Sequence, residues 1–157
     1  MQVLQDEPYN LAPGQVVVAR VAAMNEYGTG VYLQEVSDVY IQTVPVAMSK
    51  PGIEAIGGSD ERVKITWQPL YHSSETGGTE LLEYRLFWDQ GYLPELSSKI
   101  TIYDVTASSH VINVSDYSSY GFSIQAYNVC GLGDMSPTLR IRQDSNEDNG
   151  SSDPQAE

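Results

Sequence analysis

The stretch YGFSIQAYNVCGLG, from Tyr120 to Gly133, alternates apolar and polar residues and then ends in a turn that contains two glycines. Successive side chains of a β-strand point to opposite faces, so every second residue lies on the same face. One such apolar set consists of Tyr120, Phe122, Ile124 and Ala126. The stretch therefore predicts a long strand that buries one face and continues into a hairpin.

A similar pattern occurs near the start of the chain, as VVARVAAMNEYGTG at residues 17–30. An offset of 103 residues places Asn25 on Asn128 and brings the glycines of the two turns into register. The glycine pairs are Gly28 with Gly131 and Gly30 with Gly133. The residues that coincide with the apolar set of the later stretch are Val17, Ala19, Val21 and Ala23. We therefore expect two related units, with hairpin glycines in both that supply positive φ angles.

The composition favours an all-β protein. Of the 157 residues, 41% are hydrophobic, only 18% are charged and 11 are tyrosines. Several segments after residue 60 alternate in polarity and are bounded by Gly, Pro, Ser or Asp. The predicted strands are RVKITW (62–67), EYRLFW (83–88), SSKITIYDV (97–105), SSHVINV (108–114), SSYGFSIQAY (118–127) and TLRIR (138–142). Short strands at this spacing favour a β-sandwich.

The second unit resembles a fibronectin type III domain over nearly its whole length. The resemblance lies in PGIEAIGGSDERVKITWQPL, GGTELLEYRLFWD and VSDYSSYGFSIQAYNVCGLGDMSP. It implies an immunoglobulin-like β-sandwich, with Trp67 as the family's core tryptophan and Tyr120 closing a corner by bonding its hydroxyl to backbone. The expected structural core residues are Trp67, Tyr84, Tyr120 and Phe122.

The first unit resembles only the last strands of such a domain, through LAPGQVV and ARVAAMNEYGTG. Val17 stands where the family has a tyrosine, so the first unit should lack the corner bond. We expect residues 1–45 to be the C-terminal strands of one domain, residues 46–142 a complete domain, and residues 143–157 an acidic linker or tail. The apolar face of the first unit would then be exposed. Its missing strands would come from a longer array or, alternatively, from a neighbouring chain.

Three loops or linkers are predicted from their Pro, Gly, Ser and acidic content, at residues 44–52, 72–80 and 143–157. The first of them separates the two units. Its two prolines, Pro45 and Pro51, predict an extended and semi-stiff connection.

The charge balance excludes a polyanionic partner. The chain has 8 basic and 21 acidic residues, for a net charge of −13, so a nucleic acid would be repelled. An acidic, solvated surface is the favoured interpretation, with weak calcium binding or a basic partner as alternatives. No segment approaches the roughly 18 apolar residues of a membrane span, and residues 1–15 show no signal peptide. We therefore expect no membrane insertion in this segment, and the leader of a secreted protein would lie outside it.

The only cysteine, Cys130, excludes an internal disulfide. No Lys, Arg or His adjoins it in sequence to lower the pKa of its thiol. A buried or inert thiol is therefore the favoured interpretation, and a cross-link between two chains is the alternative.

No pattern indicates catalysis. His72 and His110 have no metal-ligand spacing and are expected to be solvated. The chain lacks a Cys-x-x-Cys pair, a nucleophile elbow and a phosphate loop, and its acidic clusters lack the spacing of a calcium loop. We expect no enzymatic activity, no metal and no cofactor.

Two sequons predict N-glycosylation if the chain enters a secretory pathway: Asn113-Val114-Ser115 and Asn149-Gly150-Ser151. Strand alternation favours Asn113, because Ile112 and Val114 would face inward and leave Asn113 in solvent.

The resemblance implies a non-catalytic structural or adhesive module from a tandem fibronectin type III array, extracellular or at the cell surface. Its partners would be proteins, as neighbouring repeats or chains in a homo-oligomeric or filamentous assembly, and it would carry a glycan where a sequon is used. The alternatives are a non-catalytic accessory domain of a larger enzyme and an intracellular scaffold. Because this type of sandwich serves many tasks, the fold alone does not decide among them.

Overall fold

A computed structural model describes residues 2–33, 36–55, 62–91, 96–114 and 119–142. These residues form strands and two helices of four residues each, α1 (Gln2–Gln5) and α2 (Ser73–Thr76). The strands are β1 (Val16–Ala19), β2 (Met24–Asn25), β3 (Gly28–Thr29), β4 (Val36–Tyr40), β5 (Gly52–Ala55), β6 (Arg62–Thr66), β7 (Leu81–Trp88), β8 (Ser98–Ile102), β9 (Ser109–Asn113), β10 (Ser119–Asn128), β11 (Gly131–Leu132) and β12 (Leu139–Arg142). The predicted all-β fold is confirmed.

The strands from β5 to β12 form a sandwich of two antiparallel sheets. One sheet has the strand order β5-β6-β9, and the other has the order β11-β10-β7-β8 with β12 also paired to β10. The chain changes sheet between β6 and β7, between β8 and β9, and again between β9 and β10. This crossing pattern is that of an immunoglobulin-like sandwich, as the sequence predicted.

The core lies between the two sheets and contains side chains from both. Tyr84 and Phe122 have no solvent exposure, and Tyr120 and Trp67 are almost fully buried. The ring of Trp67 meets the ring of Tyr84 edge-on, with 5.9 Å between centroids, which is a favoured geometry for aromatic pairs. The Tyr84 hydroxyl accepts a hydrogen bond of 3.1 Å from the Leu70 amide, so burial of this polar tip is compensated.

The strand of the first unit is shorter than the alternation predicts. β1 ends at Ala19, so Val21 and Ala23 lie outside it. β10 continues for ten residues because β7 pairs with one of its sides while β11 and β12 pair with the other. Among the described residues, β1 pairs with β4 alone, so its ladder lacks the second partner that extends β10.

The hairpins of the two units have the same structure at the offset of 103 residues. Asn25 pairs with Gly28 as Asn128 pairs with Gly131. The two glycines have nearly the same φ, 135° and 134°. A backbone hydrogen bond also repeats: the amide five residues after each asparagine donates to a carbonyl two residues before it, from Gly30 to Ala23 and from Gly133 to Ala126. The repeat in sequence is therefore a repeat in structure.

The first unit buries little of its apolar surface. Between residues 3 and 40, no side chain whose exposure is described is fully buried, and the first buried residue is Ile41. Tyr27 is 88% exposed and Val31 is 96% exposed. Other exposed apolar side chains of this unit are Val18, Val21, Met24, Leu33 and Val39. The first unit thus presents an apolar surface that the described part of the chain does not cover.

Candidate interaction site at the linker

Residues 41–51 form the linker, the segment that joins the two units. Hydrogen bonds and buried side chains hold this segment in place. Its buried residues include Pro45, Met48 and Pro51, which recur every third position. A polyproline II helix has three residues per turn, so this burial pattern is typical of such a segment lying with one edge against a surface. Ile41 at its start has no solvent exposure.

One side of the linker is bound by the loop at residues 72–80, which contains α2 and is called the α2 loop. The Thr43 amide donates to the Gly77 carbonyl at 2.8 Å, and the Val46 amide donates to the Glu75 carbonyl at 2.9 Å. Gly77 ends α2 in a left-handed conformation with φ 80°. A Cβ at Gly77 would lie 2.1 Å from the Thr43 carbonyl oxygen, so both the conformation and the space require glycine.

Asn128 binds the linker from the other side. Its Nδ2 donates to the carbonyl of Thr43 at 2.7 Å and to the carbonyl of Thr76 at 2.8 Å. Its Oδ1 accepts from the amides of Cys130 at 2.8 Å and Gly131 at 3.2 Å. A buried asparagine amide offers two donors and two acceptor sites, and here all four are used.

The second glycine of the hairpin provides room for the linker. A Cβ at Gly133 would lie 2.5 Å from the Pro45 carbonyl oxygen. Gly133 is not among the residues with positive φ, whereas Gly131 is. The expectation that both glycines of each turn supply positive φ was therefore wrong for Gly30 and Gly133, because at Gly133 the close approach of Pro45 is what requires glycine.

The first unit forms backbone hydrogen bonds with the start of the linker and closely approaches the α2 loop. The Gly14 amide donates to the Ile41 carbonyl at 2.8 Å, and the Ile41 amide donates to the Gln15 carbonyl at 2.9 Å. A Cβ at Gly78 would lie 2.3 Å from the Gly14 nitrogen, and a Cβ at Gly14 would lie 2.9 Å from the Cβ of Ser73. The two units thus meet where two glycines face each other.

The carboxylate of Glu75 stabilises the α2 loop. It accepts from the amides of Tyr71 and His72, at 3.1 and 3.0 Å, and closes a capping box at the start of α2. The hydrogen bond from the His72 amide, followed by that from Tyr71, lowers the pKa of Glu75 from its ordinary value. The ionised form is therefore the one that orders the loop against which the linker lies.

The remaining candidates do not come together at this site. His72 is exposed beside α2, whereas His110 is half-buried in β9 opposite Ile65, which corrects the expectation that it is solvated. Asn113 is exposed at the end of β9, while Ser115 and the whole sequon at Asn149 lie outside the described residues. Cys130 is exposed, so of the expected buried or inert thiol the buried form was wrong, while an inert thiol stays a prediction.

The described ranges contain no candidate metal centre. Their His, Cys, Asp and Glu side chains form no group of three or more that could hold a metal ion. None of their helices has the length and the apolar run that a membrane crossing requires.

Sequence analysis did not identify the role of Asn128, whose side chain forms four hydrogen bonds at this site. The sequence indicates Asn128 only as the position that aligns with Asn25, and it predicts a polar loop where the structure has α2. The signal that could have identified Asn128 was its position directly after ten alternating residues, since an asparagine that ends a buried strand needs partners for its amide.

The chain is similar to much longer proteins. Human neogenin is 29% identical over 137 residues, which is 85% of this chain and 9% of neogenin. Human protein sidekick-1 is 29% identical over 125 residues, which is 78% of this chain and 6% of that protein. The chain thus spans less than a tenth of the length of these relatives. No protein-family model matches it.

A solved structure shows the same fold. The crystal structure of the chicken CNTN1 FN1-FN3 domains superposes with a TM-score of 0.53 at 19% identity, over 78% of this chain and 42% of that one. Strands β5 to β12 therefore have the fibronectin type III fold, as the resemblance in sequence implied.

Proposed function

We propose that the chain is a non-catalytic adhesive module of a tandem fibronectin type III array, located outside the cell or at its surface, that acts through protein–protein contacts. In this proposal residues 1–45 are the end of one domain, residues 46–142 a complete domain, and residues 143–157 an acidic linker or tail. The similarity to neogenin and sidekick-1 supports it.

The observation that carries the proposal is the binding of the linker on two sides. Asn128 holds Thr43 from the hairpin side, and the carbonyl of Gly77 holds the same residue from the α2 side. A linker with these bonds and with buried prolines loses most of its freedom to bend. Successive modules are then held at a fixed spacing and orientation, which is what an array needs to present surfaces to partners.

Residual dipolar couplings measure this fixed geometry in the whole 157-residue chain. Amides of β1 and β4 and amides of β6, β7 and β10 should fit a single alignment tensor. Asn128→Ala and Gly14→Val should each require two tensors, because one removes the linker bond and the other places a side chain against Ser73. Gln125→Ala is the matched control, since this amide donates to Gly133 and not to the linker. Two independent tensors in the unsubstituted chain would contradict the proposal.

The proposal extends to a homo-oligomeric or filamentous assembly. The exposed apolar side chains of the first unit support contacts between chains, because large apolar surfaces of this kind mark interaction sites. Sedimentation velocity across a hundredfold range of concentration should show self-association. Val21→Asp should weaken it, and Val111→Asp, on the exposed face of β9, should not. A monomer at every concentration would exclude this part of the proposal.

We also propose a glycan on Asn113, whose side chain is exposed at the end of β9. Secretion from a eukaryotic host and intact mass measurement should show an N-glycan that Asn113→Gln removes. Unmodified secreted protein would exclude it. Residue Asn149 is tested in the same way by Asn149→Gln.

A further inference from the structure

The two hairpins differ in what occupies the groove beside them. At the second hairpin, residues 43–46 of the linker fill the space: Asn128 donates to the Thr43 carbonyl, Val44 packs 3.3 Å from the Cβ position of Gly131, and the Pro45 carbonyl faces Gly133. The linker therefore lies along the hairpin from its asparagine to its second glycine.

At the first hairpin the corresponding groove is open. A depression of about 330 Å³ lies there, and its lining residues are Ala23, Met24, Asn25, Tyr27, Gly28, Thr29 and Gly30. A Cβ at Gly28 would meet nothing within 4 Å, whereas one at Gly131 would meet Val44. The groove thus has the same glycines as its counterpart and no occupant among the described residues.

The asparagine of the first hairpin is already oriented for the same role. Its Oδ1 accepts from the Tyr27 amide at 2.9 Å, as the Oδ1 of Asn128 accepts from the Cys130 amide at 2.8 Å. Because the Oδ1 atoms of Asn25 and Asn128 are fixed in the same way, their Nδ2 atoms point in the same direction relative to the hairpin. Within the described ranges, the Nδ2 of Asn25 has no hydrogen-bond partner, while the Nδ2 of Asn128 has two.

We propose that the first hairpin binds an extended, proline-containing segment with the chemistry of residues 43–46, contributed by the same polypeptide N-terminal to residue 1. A backbone carbonyl of that segment accepts from Asn25, a β-branched side chain packs on Gly28, and the next carbonyl lies against Gly30. The same-chain source follows from the second hairpin, where the bound carbonyl lies 85 residues before Asn128 in one polypeptide. This inference rests on the proposed array.

The peptide chemistry is tested by NMR on the isotope-labelled 157-residue chain. The probe is an acetylated and amidated octapeptide with the sequence of residues 41–48, IQTVPVAM. Saturable shifts are expected at the Asn25 side-chain amide and at the amides of Gly28 and Gly30. Asn25→Ala should weaken binding about fivefold, the effect of one lost hydrogen bond. A peptide with Gly-Gly-Gly in place of Val-Pro-Val is the control and should give no such shifts. Absence of shifts at millimolar peptide, or binding unchanged by Asn25→Ala, would overturn the inference.

The source of the segment is tested by hydrogen exchange in the natural full-length protein. Amides of β2 and β3 should be protected there at least tenfold more than in the 157-residue chain, at any protein concentration. Equal exchange in both, or protection that rises with concentration, would overturn the same-chain source. These results are independent of the dipolar couplings, which depend on Asn128 and Gly14. A failure of the groove can therefore be distinguished from a failure of the rigid joint.

Discussion

Asn128 and Thr43 are 85 residues apart in sequence and are joined by a hydrogen bond of 2.7 Å from the side-chain amide of the first to the carbonyl of the second. The bond connects the last residue of β10 with the segment that precedes the sandwich. Because Asn128 has no solvent exposure, its amide would be costly to bury without these partners. The sandwich and the linker are therefore stabilised by the same residue.

Asn128→Ala should lower the free energy of unfolding by about 1–3 kcal/mol, since it leaves the carbonyls of Thr43 and Thr76 without their donor. Urea unfolding followed by tryptophan fluorescence measures this change, because both tryptophans lie in β7 or directly after β6. Gln125→Ala, which removes a half-buried amide bonded to Gly133, should cost less than half as much. Equal losses would show that Asn128 has no special role at the linker.

Gly133→Ala should destabilise the sandwich by about 1–3 kcal/mol, the usual effect of overpacking, because the new methyl group would lie 2.5 Å from the Pro45 carbonyl oxygen. Gly30→Ala is its counterpart at the offset of 103 residues. The nearest atom to that Cβ is the Ala23 carbonyl oxygen at 3.4 Å, so this change should leave the unfolding transition in place. Thermal unfolding of both variants measures the contrast, and similar shifts in Tm would contradict it.

The sandwich could be predicted because its signals are local. The alternation in residues 62–67 and 83–88 reflects the two faces of a strand, and β6 and β7 formed there. The offset between Asn25 and Asn128 reflects a repeated hairpin, which two shared glycines made visible. Alternation and turn residues are recognised from neighbouring residues in the sequence, so they can be identified without knowledge of the fold.

The linker site could not be predicted in the same way. Its burial recurs every third residue, at Pro45, Met48 and Pro51, and no amphipathic strand or helix pattern detects that period. Its partners, Gly77 and Asn128, lie far away in sequence. Gly133 is required because Pro45 approaches it closely and not because of a positive φ. Such a requirement can be recognised only when the approaching segment is known.

Acid should loosen the linker before it unfolds the sandwich. The pKa of Glu75 is lowered in the folded state, so its carboxylate contributes stability that is present above the ordinary pKa of 4.5 and is lost as the pH falls through the folded value. Amide protection factors of Thr43 and Val46, which donate to Gly77 and Glu75, should therefore fall below pH 4.5.

The control for this prediction is Glu75→Gln, which removes the titrating group. In this variant the protection of the two linker amides should be lower at neutral pH and should lose most of its dependence on pH between 3 and 6. A wild-type profile that stays flat down to the pH of global unfolding would show that the linker does not depend on the Glu75 carboxylate.

Asp89→Asn should destabilise the sandwich by about 2 kcal/mol. The Asp89 carboxylate is fully buried and accepts from the amides of Gly91 at 3.1 Å and Gly121 at 3.0 Å and from Arg140 at 2.9 Å. The substitution removes the charge that these three donors face. The loss is smaller than for a fully buried ion pair because the Arg140 side chain is 46% exposed. Glu54→Gln breaks an exposed pair with Lys64 and should change the free energy of unfolding by less than about 0.5 kcal/mol. Urea unfolding of the two variants measures both, and an equal effect would show that burial does not determine the strength of the Asp89 contacts.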